Sequence, residues 1–154
     1  MITEKITPII ILMLLISCKT TLQNKVLKNK NIFSISLGSC FENDSISIEL
    51  NGSKIFNNEI ITSDKTIGTT GYYFSYFEYK NEGKIITQTK DKKKEVKQYL
   101  NNKNYKVKIT INGYENYFLL DLSKGRNIMI EKCTENRHLG IAKINYYKGI
   151  IYLD

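Results

Sequence analysis

Ile46-Ser47-Ile48-Glu49-Leu50-Asn51-Gly52 is the stretch on which the fold turns. Apolar Ile46, Ile48 and Leu50 alternate with polar Ser47 and Glu49. A period of two puts the apolar set on one face of an extended chain, which is the signature of a half-buried strand. Asn-Gly follows at once, and both residues tolerate the positive φ that a two-residue hairpin turn requires. Lys54 to Phe56 is then the return strand. The arrangement recurs downstream, where Val107, Ile109 and Ile111 alternate with Lys108 and Thr110 and run into Asn112-Gly113 and Tyr114–Leu120. Two such hairpins demand antiparallel neighbours.

Outward from these hairpins the same period continues. Phe33, Ile35 and Leu37 alternate with Ser34 and Ser36. Tyr72 to Tyr79 is a strongly aromatic strand that turns near Gly83 and returns over Lys84–Thr89. Asn127–Glu131, Ile141–Tyr146 and Ile150–Leu153 complete the set, the last two joined around Lys148-Gly149. Thr62-Ser63-Asp64-Lys65 and Gly68-Thr69-Thr70-Gly71 read as turns or a long loop. Lys92 to Leu100 is the one helical candidate, with Val96, Tyr99 and Leu100 on one side; a charged loop fits it equally. About ten short strands punctuated by turns, with no helices to build βαβ units, predict an all-β antiparallel sandwich or barrel over residues 32–154.

The chain has 154 residues, enough for one domain, and its 42% apolar and 25% charged content argues against global disorder. The formal net charge is +8. A basic balance permits association with anionic lipid, polysaccharide or nucleic acid and says nothing of fold.

The N-terminus has a different character. Ile9 to Ile16 is an unbroken apolar run after a short polar segment carrying Lys5. Crossing a bilayer takes about 20 apolar residues, so this run suits a signal-peptide core rather than a span. It ends Leu15-Ile16-Ser17-Cys18. That ending resembles the lipobox of bacterial lipoproteins: an aliphatic residue, a tolerant position, a small residue, then cysteine. The resemblance implies a signal peptide over 1–17, cleavage before Cys18, a thioether-linked diacylglycerol on its sulfur and an acyl group on its new amine. No aspartate follows Cys18 and no acidic run follows it, so the resemblance favours an outer-membrane anchor facing the periplasm. Residues 18–31 read as the lipidated cysteine and a flexible tether, spanning roughly 20 Å on average.

Cys40 and Cys133 remain for other roles. In an oxidising compartment a bridge between them would close a long loop and contribute about 4–5 kcal/mol by chain entropy. The alternative is two small buried residues. There is no Cys-x-x-Cys and His138 is the only histidine, so no metal site is expected.

Two surfaces stand out as candidates for binding. Period two places Tyr72, Phe74 and Tyr76 on one face of the aromatic strand and Tyr73, Phe77 and Tyr79 on the other. One face must be core; Tyr72, Phe74 and Tyr76, with the basic residues Lys92, Lys93 and Lys94, form the candidate binding surface. Cross-strand packing and a solvated, edge-guarding lysine run are the competing readings of the same residues. No catalytic constellation is selected: there is no Gly-x-Ser-x-Gly elbow and no phosphate or dinucleotide loop, and nothing singles out a pair among Glu42, Asp44, Glu115 and Asp121. The expectation is a non-catalytic envelope domain without cofactor, held to the membrane by its N-terminal lipid and binding an envelope protein or glycan rather than nucleic acid. An anchored immunity protein against a toxin and a small envelope hydrolase are the alternatives.

Overall fold

The structure, a computed structural model, describes residues 30–80, 82–100, 104–133 and 140–149. The signal segment, Cys18, most of the tether, His138 and the expected last strand Ile150–Leu153 lie outside the described residues. The described residues form ten strands: β1 Lys30–Leu37, β2 Asp44–Leu50, β3 Ser53–Ile61, β4 Tyr73–Tyr79, β5 Glu82–Gln88, β6 Lys93–Lys97, β7 Lys106–Ile111, β8 Tyr114–Leu119, β9 Asn127–Glu131 and β10 Lys143–Tyr147. They form a six-stranded sheet, β10-β9-β1-β4-β5-β6, and a four-stranded sheet, β3-β2-β7-β8. All pairings are antiparallel except β1 with β9.

The two sheets pack face to face as a β-sandwich, and the alternation seen in the sequence supplies its interior. Phe33, Ile35 and Leu37 from β1 meet Ile46, Ile48 and Leu50 from β2 and Val107, Ile109 and Ile111 from β7 in one core. Each such side chain, fully withdrawn from water, contributes about 1.5–3 kcal/mol. Phe33 stacks edge-on against Phe74 and Tyr105, at centroid distances of 6.4 and 4.9 Å. Both Asn-Gly turns adopt positive φ, 49° and 82° at Asn51-Gly52 and 51° and 86° at Asn112-Gly113.

Four of the departures from the sequence reading have a local reason. Lys30 and Asn31 belong to β1, paired with Glu78 and Phe77, and are not tether. β3 continues past Phe56 to Ile61 because Asn57 and Asn58 form a bulge, with Asn58 at φ 52° and its amide donating to Ser47 Oγ at 2.9 Å. The bulge hides the strand by breaking its period. Lys92–Leu100 holds no helix: Lys93–Lys97 is the edge strand β6, paired with β5 from Lys84↔Lys97 to Gln88↔Lys93. β10 begins at Lys143, after Gly140–Ala142 have been held against β8 by Asn116, whose side chain donates to Gly140 O and accepts from Ala142 N.

Candidate functional site

The segments 38–43 and 62–72, the turn at 112–113 and the end of β9 converge at one pole of the sandwich, around a recess of about 800 Å³. Short polar side chains tie these segments together where strand pairing stops. Ser63 Oγ donates to Gly38 O at 2.7 Å and accepts from Phe41 N at 3.0 Å. Ser39 Oγ donates to Gly68 O at 2.9 Å, and Asp64 Oδ1 accepts from Thr66 N at 2.7 Å to form an Asx turn. Cys40 and Cys133 form a disulfide with Cα atoms 5.2 Å apart, within the range such bonds need. It clamps the β1–β2 loop to the end of β9.

Beneath the disulfide lies an ion pair. Lys132 Nζ donates to Asp44 Oδ1 at 2.6 Å, with both residues buried. Asn112 Nδ2 donates to the same oxygen at 2.6 Å, and Glu42 N donates to Oδ2 at 2.8 Å. Burial by itself pushes the Asp44 carboxyl up, but the hydrogen bonds from Lys132, Glu42 and Asn112 together outweigh it and hold the group below the usual carboxylate range. Burying two charges is expensive, and only a fully bonded geometry offsets it. Asn112 thus serves twice, since its Oδ1 also accepts from Ser45 N at 2.9 Å. Glu42 and Lys65 stand exposed on the rim.

This recess is chemically settled. The hydroxyls of Ser39 and Ser63 are spent on main-chain carbonyls, and the Asp44 and Asp64 carboxylates are held ionised by their donors. Such an arrangement suits shape recognition better than proton transfer, because a base must be free to change partners. Among the described residues no group of three or more His, Cys, Asp or Glu is placed to hold a metal ion.

The candidate surface of Tyr72, Phe74 and Tyr76 does not exist as a surface. Phe74 is 1% exposed and Tyr76 0%, and Tyr72 packs half-buried against Phe56 at 5.7 Å. This is the face turned toward the second sheet, so these rings are core. Burial drives the Tyr76 phenol up to about 12, against the hydrogen bond it accepts from Leu100 N. Lys92, Lys93 and Lys94 are exposed, as expected of a surface, but they sit on and before edge strand β6, apart from those rings. The exposed apolar groups lie elsewhere, chiefly Tyr114, Tyr117 and Leu119 on edge strand β8. Lys108 bridges Glu115 there at 2.5 Å and covers the Tyr117 ring.

Sequence reasoning missed Lys132 and Asn112 as partners of Asp44. The only local hint was that Lys132 stands directly before a cysteine, one residue past the apolar triplet Ile128-Met129-Ile130. No protein-family model, curated protein or solved structure matches this chain.

Proposed function

We propose that this chain is a lipid-anchored cell-envelope protein whose non-catalytic β-sandwich binds a protein or glycan partner. The observation that carries the reading is the ending Leu15-Ile16-Ser17-Cys18 after an apolar run too short to cross a bilayer. The Cys40–Cys133 disulfide supports it, since such bonds persist in exported proteins and are rare in the cytosol. The settled hydrogen bonding of the recess supports a binding role over a catalytic one. Two acyl chains or more hold a protein stably where one holds it marginally, at about 0.8 kcal/mol per buried CH₂.

Intact-mass analysis of protein extracted from membranes is the test. The expected species begins at residue 18 and carries a diacylglyceryl and an acyl group, and a Cys18→Ala variant keeps its signal segment and no lipid. A soluble cytosolic product that retains Met1 and an unmodified Cys18 would refute the reading. Proteins or glycans retained in the same extract identify the partner.

A further inference from the structure

Strand register fixes which end of the sandwich the N-terminus enters. β1 runs from Lys30 to Leu37, and its first residue pairs with Glu78 near the end of β4. The β4–β5 connection, the end of β6, the start of β7 and the loop before β9 therefore lie at the same pole as Lys30. The recess and the disulfide lie at the opposite pole, the length of β1 away, roughly 25 Å at about 3.3 Å per residue.

The pole that receives the N-terminus is basic. Lys30, Lys80, Lys97 and Lys106 are exposed there, with Arg126 and Lys148 on its flank next to the Asn127–Tyr147 pairing level with Ser34, and none of the six is in an ion pair among the described residues. Glu78, Glu82 and, near the end of β2, Glu49 are unbridged carboxylates beside them, while Asp121 is already bridged to Lys124. Tyr99 and Leu119, 45% and 62% exposed, stand among these cations. At the recess pole, Lys65, Lys90, Lys92, Lys93 and Lys143 face Glu42, Asp64, Asp91 and Glu131, which nearly balance them. Cations with an exposed aromatic and an aliphatic side chain are the composition favoured at a lipid–water interface.

We propose that this basic pole docks on the headgroups of anionic lipid, so that the recess points away from the bilayer. The proposal rests on the reading of Cys18 as the anchored residue: about a dozen residues separate Cys18 from Lys30, which keeps this pole nearest the membrane. Charge complementarity selects anionic phospholipid as the occupant. Acting beyond the Debye length of about 8 Å, the lysines of the far pole contribute little.

The test is co-sedimentation with vesicles, using the chain from residue 18 onward with Cys18→Ser and no acyl group. It keeps the whole described sandwich, since every described core residue lies beyond Lys30. Binding is expected to phosphatidylglycerol-rich vesicles and not to phosphatidylcholine vesicles, and to fall as salt rises. Neutralising Lys80, Lys97 and Lys106 to Gln weakens it by roughly a hundredfold. The matched set Lys65→Gln, Lys90→Gln and Lys92→Gln, with the same loss of net charge, changes it by less than about threefold. Equal loss from both sets, no preference for anionic vesicles, or tighter capture by a soluble acidic polysaccharide would each overturn the proposal. The probe carries no lipid, so its failure leaves the Cys18 reading standing, and an unmodified natural Cys18 would leave vesicle binding intact.

Discussion

Replacing Asp44 by Ala should destabilise the domain far more than replacing Lys132 by Met. Asp44→Ala leaves the Lys132 ammonium buried without its counter-charge and strips acceptors from Asn112 Nδ2 and Glu42 N. Breaking a buried pair in this way costs about 3–5 kcal/mol. Lys132→Met leaves the carboxylate with two donors still in place, so a loss nearer 1–3 kcal/mol is expected, the range for one missing partner. Urea unfolding of the oxidised domain reads both. With a slope of about 2 kcal/mol per molar, Asp44→Ala moves the midpoint down by roughly 2 M. The double variant should recover part of the Asp44→Ala loss, since the stranded ammonium is gone while Asn112 Nδ2 and Glu42 N still lack their acceptor. Acid titration adds a second signature. The folded carboxyl lies below its ordinary value of 3.8, so its stabilisation is complete above that pH and drains as pH falls from there through the lower folded value. Asp44→Ala should lack that acid-sensitive component. A loss under about 1 kcal/mol for Asp44→Ala, or a larger loss for Lys132→Met, would show that the pair does not organise this pole.

Two further outcomes follow from the same framework. Reducing Cys40–Cys133, which are 93 residues apart, should lower stability by about 4–5 kcal/mol, measured as a fall in urea midpoint with and without reductant; an unchanged midpoint would contradict this. Gly83→Ala should loosen the β5–β6 edge, because a Cβ there would collide with the main chain of Gln98 and Tyr99. Faster amide exchange over Lys93–Lys97 with the core still protected is the expected readout, and unaltered exchange would count against it.

The parts of the fold legible in the sequence are those encoded by near neighbours. Ile46–Leu50 and Val107–Ile111 announce their strands by alternation, and each Asn-Gly announces its turn, because one face of each strand must be dry. β6 announces nothing: all of Lys93–Lys97 is exposed, and the strand is held by its pairing with β5. Alternation also separates Phe74 and Tyr76 from Tyr73 without saying which set faces inward, since aromatic residues occupy both sides of the strand. The ion pair was invisible for a different reason. Asp44 and Lys132 are 88 residues apart, and a lone lysine carries no mark of the carboxylate it will meet.

β1 is the first strand of the sandwich to be synthesised, yet it sits inside the larger sheet between β4 and β9. Its parallel neighbour, Asn127–Glu131, comes after seven other strands have been made. A growing polypeptide of this design has no way to finish its six-stranded layer until β9 and β10 have been made. Pairing between strands so far apart in sequence forms slowly, because the loop-closure entropy is lost before the contact is gained.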